Sequence, residues 1–175
     1  MKAKVIPISA AQAQGYNAAE EKENNVIGAR ISEARKKRGM TLADISATLE
    51  GLGVKVSRSA ASKWETGETV PNTETLKLLS KLFDVSINTL LGSPRKLICQ
   101  CCGMPLEDSV ISRESDGTFN EDYCKWCYSD GSFAYPTKES LLDYLVGHMP
   151  NPDHTKDEDR RMQFDAYLSQ LKHWK

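Results

Sequence analysis

Between Val26 and Leu91 the apolar residues recur every three or four positions, and the breaks between runs carry capping residues and glycines. Ile27, Ile31 and Ala34 share one face of a first helix that ends near Arg38-Gly39, with basic residues in the last turn and glycine after it. Thr41 is a good N-cap for a second helix carrying Leu42, Ile45 and Leu49, which Gly51 and Gly53 end. Ser57 caps a third, with Ala60, Ala61 and Trp64 inward and a close at Thr66-Gly67. Asn72, behind Pro71, caps a fourth that buries Leu76, Leu79, Leu82 and Phe83; Ser86 opens a final turn with Ile87, Leu90 and Leu91, ended by Gly92. Five short helices in about 65 residues share one small core.

Outside that region the pattern changes. Residues 1–25 alternate Ala, Gln, Asn, Lys and Glu without an apolar period and are expected to form a mobile tail, with a fleeting helix around 17–23. Residues 26–92 are the helical domain, and 93–97 a linker around Ser93-Pro94-Arg95-Lys96. Residues 98–136 have few core formers and many turn formers, among them Gly103, Pro105, Asp116-Gly117, Asp130-Gly131 and Pro136. Residues 137–175 return to a helical pattern. Thr137 starts a stretch with Leu141, Leu142, Leu145 and Val146, interrupted by His148-Met149-Pro150-Asn151-Pro152. A last helix from about Asp157 places Phe164, Leu168, Leu171 and Trp174 on one face, with an acidic first turn and a basic last one. That stripe either supplies an interface or packs on the preceding segment, and packing is preferred.

Charge divides along the same boundary. The chain of 175 residues has 23 Lys+Arg against 24 Asp+Glu, a net of −1. Residues 27–97 carry 12 basic and 7 acidic side chains, a net of +5, whereas 98–175 carry 8 and 14, a net of −6. The near-neutral total therefore hides a half suited to a polyanion beside a half that is not. No apolar run approaches the roughly 20 residues of a membrane span, which excludes a transmembrane helix from the reading.

All five cysteines, Cys99, Cys101, Cys102, Cys124 and Cys127, fall in the acidic half. No convincing secretory signal precedes them, so a reducing cytoplasm is the expected location, where clustered cysteines mean metal or redox chemistry more often than disulfides. Cys99-x2-Cys102 and Cys124-x2-Cys127 have the spacing of two knuckles, each donating two thiolates to one tetrahedral Zn²⁺. Four thiolates fill the coordination sphere, so the metal is read as structural and its binding as the driver of local folding. A disulfide or thioredoxin-like use of the pairs is the competing reading. Cys101 is left as a free thiol, for packing or for redox sensing.

In the basic half, the third helix interleaves inward Ala60, Ala61 and Trp64 with outward Ser57, Arg58, Ser59, Ser62 and Lys63. Short polar and basic side chains on one edge are what a helix in the major groove of double-stranded DNA presents. Arg35-Lys36-Lys37-Arg38 is read as added charge for phosphates. From Ile27-Gly28 through Arg35, Gly39-Met40-Thr41, Ser57-Arg58-Ser59 and Trp64-Glu65-Thr66-Gly67 to Pro71 and Leu90-Leu91-Gly92, the chain resembles the Cro and phage-repressor type of helix-turn-helix regulator. The resemblance implies base-contacting positions for Ser57, Arg58, Ser59 and Lys63, and a structural Arg35–Glu65 pair joining the first helix to the third. Two positions depart from it. About five extra residues within Glu50–Val56 either lengthen the second helix or enlarge the turn, and Leu42 stands where the family often has a phosphate-contacting Gln.

The acidic half resembles a zinc-ribbon domain family of bacterial and archaeal proteins. The matching residues are Cys99-x-x-Cys102-Gly103-Met104-Pro105-Leu106, Gly117-Thr118, Tyr123 through Tyr128, Asp130-Gly131-x-Phe133 and Leu171-Lys172-His173-Trp174. It departs in having His173 before the tryptophan, where an arginine is common. The resemblance implies a zinc-bound ribbon followed by helices and says little of activity.

The fold expected is mainly α with a small β zinc ribbon: a five-helix helix-turn-helix bundle, then a ribbon with further helices. The function expected is that of a DNA-binding transcriptional regulator, with a zinc module for dimerisation, partner contact or sensing. It would act as a homodimer on two half-sites, with the acidic half open to a protein partner. The alternative is a zinc-dependent adaptor whose helical bundle no longer binds DNA. Enzyme signatures such as His-Glu-x-x-His, Gly-x4-Gly-Lys-Ser/Thr or Gly-x-Ser-x-Gly do not occur, so no catalytic residue is assigned. His148, His154 and His173 are expected at the surface or in packing, with a second metal site around His148 and His154 a weaker reading.

Overall fold

The computed structural model describes residues 10–93 and 96–175, with side chains described from residue 22 onward in the first stretch. The first part of the expected tail and the centre of the expected linker lie outside the described residues. The chain divides into two compact units, one ending at Ser93 and the other following it, each with its own apolar core.

The first unit is helical: α1 spans Ala10–Lys37, α2 Leu42–Gly51, α3 Arg58–Glu65, α4 Thr73–Phe83 and α5 Ile87–Leu91. The caps that set these starts are short-range and occur where the sequence puts them. Thr41 and Asp44 exchange a capping box, and Ser57, Asn72 and Ser86 each accept from the backbone N–H three residues on. Ile27, Ile31, Ala34, Ile45, Leu49, Ala61, Trp64, Leu79, Phe83 and Leu90 form the core.

Helix α1 begins at Ala10, inside the segment expected to be tail. Two contacts carry it back past Ile27. A β-carbon at Gly67 would lie 2.4 Å from Asn25 Oδ1, and one at Gly92 2.4 Å from Val26 Cγ1, so both glycines make room for the helix. Farther back, Ala, Glu, Gln and Lys are good helix formers and continue the turns without apolar periodicity.

Within α1, Gly28 lies against the end of α3. A β-carbon there would sit 2.4 Å from the Trp64 carbonyl oxygen and 3.0 Å from that of Glu65. Backbone cannot step aside as a side chain can, so Gly28→Ala is expected to destabilise this unit by about 1–3 kcal/mol despite the better helix propensity of alanine. An unchanged urea midpoint for this variant would contradict the close approach.

The extra residues before α3 enlarge the turn. Helix α2 stops at Gly51, Val54 N–H donates to the Leu49 carbonyl at 2.9 Å, and Val54 and Val56 pack half-buried on the core, leaving Lys55 between them exposed. Leu42 also packs against this core, which explains an apolar residue there.

The second unit opens with antiparallel strand pairs. β1 (Leu97–Ile98) pairs with β2 (Pro105–Leu106), β3 (Ile111–Arg113) with β4 (Phe119–Cys124) across an irregularity at Ile111/Ser112, and β5 (Tyr128–Ser129) with β6 (Ser132–Phe133). Helices α6 (Lys138–His148) and α7 (Asp157–Leu168) follow, then a 3₁₀ turn at Lys172–Trp174. Thr137 caps α6, and the acidic first turn of α7 is Asp157, Glu158 and Asp159. The last helix is shorter than its apolar stripe suggests. After Leu168 the chain tightens, with Gln170 N–H donating to Tyr167 O and Leu171 N–H to Leu168 O, and Leu171 is extended. Phe164, Leu168, Leu171 and Trp174 nevertheless all pack on the ribbon core with Leu106, Ile111, Phe119, Leu141 and Leu142.

Candidate nucleic-acid interface and metal centre

Helix α3 is held by a half-buried ion pair. Arg35 Nε lies 2.6 Å from Glu65 Oε1 and its Nη2 donates to Oε2 at 2.9 Å, with the two side chains only 14% and 13% exposed. Arg35 Nη1 donates to the Met40 carbonyl, and Ser32 Oγ donates to Glu65 Oε2 at 2.9 Å. Burial pushes the Glu65 carboxyl up, but the hydrogen bonds from Arg35 and Ser32 outweigh it and hold the group below its ordinary value. Ser32 is a member of this network that its sequence context does not single out.

Arg38, at the surface, also has partners in the fold, donating Nε to the Phe83 carbonyl at 2.8 Å and pairing with Asp84 at 2.7 Å. The four-residue basic run therefore does not stand free as read. Its arginines tie the end of α1 to α3 and to the end of α4, while Lys36, Lys37 and Arg38 are the exposed members.

Along α3, Ala61 and Trp64 are buried and Ala60 half-buried. Arg58, Ser59 and Lys63 are exposed, Ser62 is half-buried, and Lys63 lies 3.5 Å from Glu68 across two exposed side chains. Ser57 is exposed at the N-cap, its Oγ accepting from Ala60 N–H at 3.0 Å while its own proton remains to donate. Thus Ser57, Arg58, Ser59 and Lys63 lie outward, and Ser62 sits at the margin.

The metal centre is built from two short turns. In the first, Cys99 N–H donates to Met104 O and Gly103 N–H returns to Cys99 O, both at 2.8 Å, closing a knuckle around Cys99 and Cys102. Gly103 has φ +79°, and a β-carbon there would meet the Tyr167 ring at 2.2 Å, so both turn and packing require glycine. β4 delivers Cys124 at its end, and Cys127 N–H donates to Cys124 O at 3.0 Å in the second knuckle. Cys124 N–H donates to Cys99 Sγ at 3.3 Å, joining the two.

The four Sγ atoms of Cys99, Cys102, Cys124 and Cys127 all lie within 4.8 Å of one another. Cys102 and Cys124 sulfurs are 3.9 Å apart, which fits the edge of about 3.8 Å expected for a tetrahedron with Zn–S bonds near 2.3 Å. As thiols alone the set cannot ionise together. Hydrogen bonds, first from Cys102, push Cys99 and Cys124 down, while Cys102 is pushed up first by Cys124 and Cys127 first by Cys101. A central dication removes that conflict and lets all four be thiolates. The donors thus fit one structural four-thiolate Zn²⁺, whose chemistry is to cross-link the knuckles.

Cys101 is fully buried in the ribbon core rather than presented to solvent. His148 stacks on Tyr144, His173 packs between Phe133 and Trp174, and among the described residues no second cluster of three ligating side chains forms around His148 or His154. Two further residues hold the frame. Glu114 accepts from Asn120 Nδ2 and from the Tyr128 hydroxyl, both at 2.7 Å, tying β4 to the second knuckle. Arg160, itself buried, donates to the Val146 and Met149 carbonyls at 2.7 Å and closes the end of α6. Neither lies in a motif that would have pointed to it. No helix among the described residues is long and apolar enough to cross a membrane.

Comparison with known proteins follows the same division. Over 37 residues of the helix-turn-helix region, 21% of this chain, the sequence is 58% identical to the HTH-type transcriptional activator BcrR of Enterococcus faecalis. The chain spans 18% of that relative's length. No solved structure matches the chain. Residues 31–90 match the family described as "Helix-turn-helix", and residues 98–175 the one described as "Putative zinc ribbon domain". The chain thus carries a segment similar to helix-turn-helix domains, followed by one similar to zinc-ribbon domains.

Proposed function

We propose that this protein is a sequence-specific, DNA-binding transcriptional regulator of the cytoplasm that acts as a homodimer on double-stranded DNA. The observation that carries this reading is the division of α3. Ala61 and Trp64 face the core, while Ser57, Arg58, Ser59 and Lys63 are exposed, in a domain that matches the helix-turn-helix family and shares a segment with a transcriptional activator. In this reading Arg58, at the start of the helix, contacts a guanine edge, and Lys63, further along the helix, a base or phosphate. Ser57 and Ser59 suit phosphate or base contact at the helix N-terminus, with Ser62 at the edge of the surface. Lys36, Lys37 and Lys55 supply further exposed charge.

The zinc unit has a different task. Its net of −6 becomes more negative by about 2 when four thiolates hold one Zn²⁺. Such a surface is repelled by DNA and is left for a second copy, a partner protein or the sensing of a signal. Two copies reading two half-sites one helical turn apart follow from the usual geometry of this domain.

The test is binding to duplex DNA over a salt series. Wild-type protein is expected to lose affinity steeply with salt. A base-reading Arg58→Ala costs about 1–3 kcal/mol, and a phosphate-binding Lys63→Ala lowers the salt slope by about one. A zinc-loaded, folded protein whose binding is unaltered by both substitutions would contradict the reading. One that retards no DNA while still capturing a partner would favour an adaptor instead.

A further inference from the structure

We propose that Leu171–Trp174 forms a clasp over the first zinc knuckle that sets how long the metal is held. After α7 the chain turns inward, and consecutive residues each spend a polar group on the loop between two zinc ligands. Lys172 N–H donates to Gln100 Oε1 at 3.2 Å, His173 N–H to Gln100 O at 3.3 Å, and Trp174 Nε1 to Cys101 O at 2.7 Å. Gln100 and Cys101 are the two residues separating Cys99 from Cys102. Holding them fixes the bite of that ligand pair.

The clasp reaches the second pair as well. Gln100 N–H donates to Asp122 O at 2.7 Å, and Lys172 Nζ lies 2.7 Å from Asp122 Oδ2, two residues before Cys124. His173 packs on Phe133 and Tyr123, whose hydroxyl lies 3.4 Å from His173 Nδ1. Leu171, 4% exposed, roots the segment in the ribbon core.

The contacts differ in weight. Lys172 and Asp122 are 69% and 48% exposed, so solvent screens that pair and it contributes little. Trp174 combines a short hydrogen bond with packing on the core, and the Gln100 side chain accepts from Lys172 N–H while donating to the carbonyl of Ile98, next to Cys99, so these two carry the effect. A metal site depends on such outer partners because a ligand free to swing loses its pre-set position. Reciprocity follows: by whatever factor the docked clasp tightens zinc, zinc favours the docked clasp.

The test measures transfer of zinc from the full-length protein to an excess of a chromophoric chelator. Trp174→Phe keeps an aromatic ring and removes the N–H, Gln100→Ala removes the bridging side chain, and Lys172→Ala removes the exposed ion pair. Release is expected to be about 10–100-fold faster for the first two, in line with outer-partner losses elsewhere, and within twofold of wild type for the third. Arg160→Lys, which loosens the end of α6 far from the knuckle loop in sequence, controls for general stability and is expected to leave release unchanged. Release within twofold of wild type for Gln100→Ala overturns the clasp, whether or not Trp174→Phe folds. Equal acceleration by Arg160→Lys overturns it too, because the effect then reports only stability. Wild-type protein that carries no zinc fails the metal assignment itself, a different outcome from failure of the clasp.

Discussion

Removing zinc, by chelation or by Cys124→Ser, is expected to unfold residues 96–175 while the helix-turn-helix unit stays folded. The ribbon strands are two to six residues long, and the zinc ligands Cys99, Cys124 and Cys127 are among the most buried residues in that core, with Cys102 half-buried at its edge. Among the described residues, Cys101, Leu106, Ile111, Phe119, Leu141, Leu142, Leu168 and Leu171 are the other apolar residues buried in it. So small a core rarely sustains a fold alone, and structural zinc supplies an apparent 10–16 kcal/mol or so at neutral pH, which exceeds the whole stability of an ordinary domain. The helical unit buries Ile31, Ile45, Leu49, Leu79 and Leu90 without help from the metal. Calorimetry on the full chain should therefore show one transition abolished and the other unmoved. Two transitions that shift together on chelation would contradict a metal-built ribbon.

The second large effect concerns the pair under α3. Glu65→Ala leaves the half-buried Arg35 guanidinium with the carbonyl of Met40 alone, and Arg35→Ala strands the half-buried carboxylate. Because both side chains are only half-buried, either change is expected to cost about 1–3 kcal/mol, below the loss at a fully buried pair, and replacing both by apolar residues of similar volume costs less. Since Glu65 ends the helix that carries Arg58 and Lys63, DNA affinity falls with stability in the single variants. The pH dependence has a definite sign. The folded-state carboxyl lies below its ordinary value of about 4.3, so its stabilisation is complete above that value and is lost as pH falls through the lower, folded value. Glu65→Gln should flatten that part of the acid limb in urea titrations of the helical unit. An acid limb identical to wild type would show that other carboxylates govern it.

What the sequence makes legible is what acts over a few residues. Thr41, Ser57, Asn72, Ser86 and Thr137 cap helices because each needs only the N–H three positions on. The cysteine pairs are readable because a tetrahedron requires two close pairs and tolerates a long loop between them. Contacts that join distant segments are not readable this way. The stripe Phe164–Leu168–Leu171–Trp174 continues with helical spacing, yet Trp174 is drawn out of the helix by a carbonyl 73 residues earlier. The basic run at 35–38 looks like one patch, but Glu65, Phe83 and Asp84 take up its arginines. Gly28, Ser32, Gln100, Glu114 and Arg160 hold the frame through partners that no local pattern announces. The enlarged turn before α3 was legible as an insertion, and only the inward packing of Val54 and Val56 resolves it as a turn.

The central claim is that α3 reads a DNA sequence, and selection of bound sites from random duplex DNA tests it most directly, with zinc measured on the same protein. The account predicts enrichment of a palindrome with half-sites about one helical turn apart, lost when Arg58 is replaced by alanine. A folded protein carrying one zinc per chain that enriches no sequence would contradict it.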